Sequence, residues 1–150
     1  PLVNNTDGFY PKVTWIPYPK TGQKNSACRA GVVDVETEKT QWIELPGDSR
    51  NHYLARMEWA DSSQELLLQQ LNREQNTNLV MLYDVGQRKL NLVITERDEA
   101  WVDVEDDLHL VNEGKRFVWI SERDGWKHIY LVSRDGTKTT LASPGDFDVI

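Results

Sequence analysis

Ser121, Asp124 and His128 are the residue types of a serine-hydrolase triad, and they lie within eight residues of one another. In such a triad the histidine takes the proton of the serine hydroxyl while the carboxylate orients the imidazole. The serine usually stands on a strained turn, yet the sequence has no Gly-x-Ser-x-Gly elbow. Because one tight hairpin can hardly supply that geometry together with an oxyanion hole, we expect a structural hairpin here and no catalytic residue.

The other chemistry-bearing side chains also lack a recognisable pattern. His52 and His109 have no metal-ligand spacing to each other or to a pair of carboxylates. The acidic stretch 103–107 lacks the oxygen order and central glycine of a calcium loop, so a solvated linker is the better interpretation. Cys28 lies in an apolar, strand-like run and is predicted to be a buried, inert thiol. The sequence therefore predicts no metal and no cofactor.

Composition narrows the class of partner. The chain of 150 residues carries 24 acidic and 17 basic residues, for a net charge of −7. Nucleic-acid binders need a footprint of lysine and arginine, and no basic stripe with interleaved aromatics is present, so no nucleic-acid partner is expected. A single cysteine excludes an internal disulfide. The length suits about one domain with a sizeable core.

The elements that would position these residues follow an internal repeat of about fifty residues. Shifting the sequence by fifty places Arg73-Glu74 on Arg123-Asp124 and Gly86 on Gly136, with apolar runs in matching register. Each unit resolves into four short strands separated by turn signals. The predicted strands are 54–59, 65–71, 78–84 and 90–95 in the middle unit, 108–111, 116–121, 127–133 and 138–142 in the last unit, and 27–35 and 41–45 in an earlier half-unit.

The segment 62–73 is the best helical alternative, because it is rich in glutamine and leucine. Its three apolar residues at 66–68 are consecutive, however, and do not form a stripe at i, i+3 and i+4. The equivalent positions of the next unit, 117–120, read plainly as a strand. We therefore predict a strand in both units.

Repeated four-stranded antiparallel units of this length are typical of β-propeller blades. One blade cannot bury both of its faces alone, so neighbouring blades cover each other. We predict an all-β chain forming part of a β-propeller, with the outer half of a blade over 26–46, blades over 52–96 and 101–143, and the start of a further blade over 144–150. Such a slice would expose blade edges, which favours edge-mediated association or a homodimer.

Five of the six tryptophans fall into two groups by their position in the predicted strands and turns. Trp42, Trp59 and Trp119 lie in predicted strands and are expected to pack between blades, since each can bury a large apolar area. Trp101 and Trp126 lie near turns and are better candidates for lining a ligand space.

Several segments resemble the dipeptidyl peptidase IV family. Residues 10–25, YPKVTWIPYPKTGQKN, are similar to that family's YPK…PYPKAG…N stretch, and residues 121–130, SERDGWKHIY, resemble its SERDGWxHLY hairpin. Trp59 with residues 69–76 resembles the family's W…QWLNRxQN strand, and residues 145–149 resemble its GxWEV blade start. The resemblance covers nearly the whole chain, in order and at matching spacing.

The resemblance implies the N-terminal propeller of a serine exopeptidase that releases dipeptides ending in proline or alanine from short peptides with free N-termini. In that family an eight-bladed propeller caps an α/β-hydrolase domain. The family's glutamate pair, which holds the substrate's amino group, lies upstream of this segment, and its catalytic serine, aspartate and histidine lie downstream. No catalytic residue is therefore carried over, and the segment itself would gate or position substrate. The implied location is the periplasm, the cell envelope or the extracellular space.

One partial correspondence concerns a loop. The segment after Trp101 is similar to a family loop that approaches the substrate cavity, often with an aromatic residue and an arginine. Glu105 and Asp106 occupy those positions here, which reverses the charge. We therefore single out Trp101, Glu105 and Asp106 as candidates for lining the substrate cavity.

Two other functions stay open at this point. A non-enzymatic β-propeller that binds a protein or peptide would share the fold and the repeat, and some members of the peptidase family have lost their nucleophile. A free-standing metal or carbohydrate site would need ligands that the sequence does not show.

Overall fold

The computed structural model describes residues 2–18, 20–60, 62–106 and 109–150. Within those ranges the chain forms β-strands and no helix, and so no helix long and apolar enough to cross a membrane. The strands are Leu2–Asn4 (β1), Lys12–Thr14 (β2), Gly31–Val33 (β3), Thr40–Trp42 (β4), His52–Trp59 (β5), Glu65–Asn72 (β6), Thr77–Asp84 (β7), Lys89–Arg97 (β8), His109–Val111 (β9), Arg116–Ser121 (β10), His128–Ser133 (β11) and Thr139–Leu141 (β12).

These strands build two four-stranded sheets and two hairpins. Strands β5 to β8 pair in chain order, and β9 to β12 do the same, with every neighbouring pair antiparallel. The hairpins are β1–β2 and β3–β4. The predicted all-β architecture of four-stranded antiparallel sheets is confirmed.

The strand limits differ most from the prediction outside the two large sheets. The strand predicted over 27–35 is wrong in length, because only Gly31–Val33 pairs with β4. The hairpin β1–β2 was not predicted, and residues 144–150 contain no strand. Leu108, predicted to begin β9, lies outside the described residues, as do Asp61 and Asp107. Cys28 is half-buried rather than buried.

The leucine run at 66–68 is buried throughout because the sheet β5–β8 is covered on both faces. Successive side chains of a strand point to opposite sides. Leu66 and Leu68 therefore pack toward the β3–β4 hairpin with Ile43, whereas Leu67 packs toward the next sheet with Phe117. All three leucines are at most 4% exposed. The three consecutive leucines, which do not have the spacing of an amphipathic helix, are thus explained by a strand that is buried on both faces.

Between the two large sheets lies the main core. Its buried members are Ala60, Leu67, Val80, Leu82, Val93, Ile94, Phe117, Trp119, Tyr130 and Val132. Trp119 packs here as predicted. Trp42 and Trp59 do not meet the same prediction, since both are about half exposed and line an open cleft beside β3–β4.

Arg134, just after β11, ties the two sheets together at one end. Its guanidinium forms an ion pair with Glu65 at the start of β6, and its Nε donates to Glu65 Oε2 at 2.9 Å. It also donates to the carbonyl oxygens of Ala60 at 3.1 Å and Gly114 at 2.6 Å. One side chain thereby satisfies acceptors from both sheets.

Gly136, in the β11–β12 turn, lies directly against β8 of the neighbouring sheet. Its φ is +73°, and a Cβ there would lie 2.5 Å from the carbonyl oxygen of Val93 in β8. Only glycine allows both this backbone conformation and this contact.

We expect Gly136→Ala to destabilise the protein by about 3 kcal/mol, because it adds a clash with Val93 to the strain of a left-handed alanine. Gly125→Ala is the matched control, since Gly125 has φ +96° and open space around its Cα. It should cost only about 1 kcal/mol. Urea unfolding of both variants measures the difference, and equal losses would show that the close approach to β8 contributes nothing.

Candidate functional site

A small cleft opens at the end of the large sheets where β6, β8 and β10 terminate. We call this end the upper rim. The loop 98–106 between the two sheets forms one wall, and the β10–β11 turn forms the other. Asp98 N and Val102 N donate to the carbonyl oxygens of Asn76 and Gln75, which fixes the loop on the β6–β7 turn. The cleft holds about 90 Å³, room for a few water molecules or one small chemical group.

Trp101 is oriented within this loop by two carboxylates. Asp98 Oδ1 accepts from the backbone N–H groups of Ala100 at 2.7 Å and Trp101 at 3.3 Å, and these bonds lower the pKa of Asp98. The Trp101 indole N–H donates to Asp103 Oδ1 at 2.8 Å. The ring is still 56% exposed, so an oriented aromatic surface faces the cleft.

Glu105 lines the same cleft and is half-buried. Its backbone oxygen accepts from Gln69 Nε2 of β6 at 2.7 Å, whereas no described residue hydrogen-bonds its carboxylate. Burial raises the pKa of Glu105, the nearby Lys127 opposes that rise, and Asp103 and the other neighbouring carboxylates add to it. The group is therefore an acceptor held at the cleft without a hydrogen-bonded partner of its own.

Asp106 does not line the Trp101 cleft. It accepts from Arg56 Nε of β5 at 2.8 Å and forms an ion pair with the same guanidinium, with both side chains well exposed. An exposed pair of this kind contributes little to stability. Asp106 lines an adjacent cleft that shares Glu105 and Lys127 with the first. The three predicted cavity residues thus lie together on the upper rim, with Trp101 and Glu105 lining the first cleft and Glu105 and Asp106 lining the adjacent one.

Glu96 forms the floor of the Trp101 cleft, and sequence reasoning did not single it out. Its carboxylate accepts from Trp119 Nε1 at 2.9 Å and Ser121 Oγ at 2.8 Å and pairs with Arg123. The guanidinium of Arg123 also lies over the ring of Tyr130, 4.9 Å from its centre. A signal was present, because Glu96 follows the buried Ile94 at the two-residue spacing of a core-facing strand position.

The triad-like residues do not face one another as a triad would. Ser121 Oγ donates to Glu96 and accepts from Arg123 Nε at 3.0 Å. The ring nitrogens of His128 lie 2.9 Å from Asp124 Oδ2 and 2.9 Å from the Gly145 carbonyl oxygen. Ser121 and His128 are neighbours across the hairpin, yet no hydrogen bond joins their side chains. The polar groups of this hairpin are used to attach it to its surroundings.

His128 holds the segment after β12 against the hairpin. Its side chain is 3% exposed, and the carboxylate and carbonyl beside its two nitrogens are both acceptors. Only the imidazolium form donates to both, and its hydrogen bond to the Asp124 carboxylate raises the pKa of His128 and lowers the pKa of Asp124. Beside it, Lys127 N donates to Asp148 Oδ1 at 2.7 Å and Val149 N donates to the Lys127 carbonyl.

Metal binding finds no support in the described ranges. No three histidine, cysteine, aspartate or glutamate side chains there approach one another closely enough to hold an ion.

We expect the stability contributed by His128 to depend on pH. Because its pKa is raised in the folded state, the contribution is complete below the unfolded value of about 6.5 and is lost as pH rises through the folded value. Asp124 contributes in the opposite sense, and its part is lost as pH falls below about 3.8 toward its lowered pKa.

His128→Gln keeps a donor but cannot titrate. Urea unfolding at pH 5.5 and pH 8 should show a larger loss of stability on raising the pH in the unmodified protein than in this variant. His109→Gln, at an exposed position whose ring makes no hydrogen bond to a described residue, is the control. Identical pH dependence in all three proteins would contradict the role of the imidazolium.

The comparisons with known proteins agree with this architecture. The family model for the dipeptidyl peptidase IV (DPP IV) N-terminal region matches residues 1–150. A "Probable dipeptidyl-aminopeptidase B" of Pyrenophora teres f. teres is 29% identical over 94% of this chain and 17% of its own length. Dipeptidyl peptidase 4 of Sus scrofa is 29% identical over 94% of this chain and 21% of its own.

Solved structures show the same likeness. The crystal structure of Porphyromonas gingivalis dipeptidyl peptidase 4 matches 97% of this chain with a TM-score of 0.81 and 29% identity. A structure from Bacteroides ovatus matches 96% with a TM-score of 0.76 at 21% identity, and thus supports the fold. The chain spans about a fifth of the length of these relatives. With its whole length matched by the family model, the chain belongs to the dipeptidyl peptidase IV N-terminal-region family.

Proposed function

We propose that this chain is a propeller segment of a dipeptidyl peptidase IV-like serine exopeptidase, which removes dipeptides ending in proline or alanine from peptide N-termini. The observation that carries the proposal is the family-model match over residues 1–150. The segment contributes a wall of the substrate space, while an α/β-hydrolase domain elsewhere in the protein performs the chemistry. The protein acts in the cell envelope or outside the cell, which fractionation with a marker enzyme tests.

The blade limits belong to the same proposal. The sheets β5–β8 and β9–β12 support blades over 52–96 and 101–143, and the β3–β4 hairpin supports the outer half of a blade over 26–46. Residues 144–150, held beside β11 by His128, begin the next blade.

Trp101, Glu105 and Asp106 are the proposed cavity residues. A peptide with a free N-terminus carries a positive charge, and Glu105 offers a carboxylate without a hydrogen-bonded partner beside an oriented indole. The cleft admits one small group, so it suits a side chain or an amino group rather than a whole dipeptide. The acidic character of these positions favours a cationic N-terminal residue.

The first test uses a Gly-Pro chromogenic substrate. The full-length protein should release the chromophore, and the isolated 150-residue segment should not, because it carries no triad. A full-length protein without turnover would favour the alternative of a non-enzymatic propeller that binds proteins or peptides. Turnover by the isolated segment would contradict the proposal that the catalytic residues lie in another domain.

In the full-length enzyme, Glu105→Gln should raise KM for a Lys-Pro substrate about threefold with kcat little changed, since a charge pair that stays partly open to solvent contributes up to about 1 kcal/mol. The KM of the unmodified enzyme should also rise as pH falls through the raised pKa of Glu105. Glu99→Gln, at an exposed position outside the cleft, is the control. Equal effects of the two substitutions would contradict the assignment of Glu105.

We also propose that the protein self-associates through the β1–β2 hairpin. All six strand residues of the hairpin are exposed, and Phe9 and Tyr10 in its loop are nearly fully so. A two-stranded hairpin is marginally stable alone in water, so a covering partner is required. Val13, 51% exposed, offers an apolar contact in β2.

Val13→Asp should weaken self-association of the full-length protein at least tenfold, because it places a charge in an apolar contact. Sedimentation velocity over a range of concentrations measures this. Val35→Asp, at an exposed valine in the β3–β4 turn, is the matched control. A monomeric full-length protein at every concentration would contradict the proposal, as would an equal effect of both changes.

A further inference from the structure

A second cleft on the upper rim, which shares no lining residue with the Trp101 cleft, concentrates positive charge in an otherwise acidic protein. It holds about 320 Å³ and lies among three turns, which contribute Lys24, Arg50 and Arg73. The chain as a whole carries a net charge of −7. Three cations around one cleft are therefore a local positive charge on a protein whose net charge is negative.

These cations retain unused hydrogen-bond donors. Arg50 Nη1 donates to the Asn25 carbonyl at 2.7 Å, and Arg73 Nη2 donates to the Gln23 carbonyl at 3.1 Å. A guanidinium has five N–H donors, and neither side chain makes another hydrogen bond to a described residue. Lys24 is exposed, and none of the three forms an ion pair within the described ranges.

The single carboxylate of the cleft is already engaged. Asp48 Oδ1 accepts from Arg50 N at 2.9 Å, and its Oδ2 accepts from Asn51 Nδ2 at 3.3 Å. The side-chain amide nitrogen of Asn25 is buried and has no hydrogen-bond partner among the described residues. The cleft thus presents an excess of donors and a net positive charge.

The internal repeat supplies a comparison within the same molecule. Arg73 and Arg123 lie fifty residues apart in equivalent hairpin turns, each closed by a backbone hydrogen bond, Gln75 N to Asn72 O and Gly125 N to Glu122 O. Arg123 is neutralised by Glu96 from the neighbouring sheet. The position fifty residues before Glu96 is Pro46, which has no carboxylate. Arg73 is therefore the equivalent arginine without its anion.

The turn that carries Arg73 is rigid. Asn72 Oδ1 accepts from the backbone N–H groups of Asn76 at 3.0 Å and Thr77 at 3.1 Å, and Asn72 Nδ2 donates to Asn76 Oδ1 at 2.7 Å. Arg50 is likewise placed by the Asp48 turn. The guanidinium groups are held before any ligand arrives, which lowers the entropic cost of binding.

We propose that Arg50, Arg73 and Lys24 form a binding site for a small oxyanion, a phosphate or a carboxylate. Guanidinium groups bind the oxygens of both anions through paired N–H donors. The site lies on the same rim as the Trp101 cleft, because the β6–β7 turn that carries Arg73 also holds the loop 98–102. It is independent of peptidase activity and rests on the cations of these turns alone.

The test titrates inorganic phosphate into the full-length protein at pH 7 by isothermal calorimetry, with ionic strength held constant by chloride. We expect saturable binding of one phosphate at millimolar concentration or tighter. A parallel titration with acetate distinguishes a carboxylate site, which binds acetate as well as phosphate, from a phosphate-selective one.

Arg73→Gln should weaken phosphate binding at least tenfold, and Lys24→Gln about threefold. The exposed Lys24 side chain makes no hydrogen bond or ion pair to a described residue, so this second variant is expected to fold and to report on binding even if Arg73→Gln misfolds. Lys138→Gln removes one exposed charge outside the cleft and should leave binding unchanged. Absence of saturable binding of either anion, or equal losses in all three variants, would overturn the proposal.

Discussion

The sheet β5–β8 has apolar side chains on both faces, and the rest of the structure follows from the need to cover them. Leu66 and Leu68 require the β3–β4 hairpin on one side, and Leu67 requires the sheet β9–β12 on the other. Burying an apolar side chain contributes about 1.5–3 kcal/mol, so neither face can be left to solvent without a large loss. The sheets therefore stack along the chain because the strands of β5–β8 carry apolar side chains on both faces.

Two ion pairs close the ends of this apolar interface. Arg134 and Glu65 join the sheets at the lower end, and Arg123 and Glu96 join them on the upper rim. Each pair keeps partial contact with water, which limits the desolvation cost that a fully buried pair would incur. An ion pair with several hydrogen bonds tolerates little displacement, whereas apolar contacts are not directional. We therefore infer that these two ion pairs fix how one sheet is placed relative to the other.

The architecture could be predicted from sequence because strand alternation and turn residues report directly on local geometry. The strand over Arg116–Ser121 was located without error for this reason. Contacts that join one sheet to the next carry no such local signature, and so the role of Glu96 was missed. The half-exposed Trp42 was misjudged because its type predicts burial, whereas its exposure depends on which neighbour lies beside β4. Trp101 was singled out by its position near a turn and by family resemblance, and Glu105 by resemblance alone; their place in a substrate cavity stays a prediction. The position of Lys127 beside Glu105 has no local sequence signature.

On the upper rim, equivalent hairpin turns of successive repeats have different roles. In both units an arginine lies in the turn after the second strand of the sheet. In the later unit Glu96 meets it, and the guanidinium becomes part of the floor of the Trp101 cleft. In the earlier unit the position fifty residues before Glu96 is Pro46, which has no carboxylate, and the guanidinium donates instead to the Gln23 carbonyl oxygen. The strands before the two arginines are alike, and the difference lies in the partner: Arg123 is paired with a carboxylate, whereas Arg73 keeps unused N–H donors.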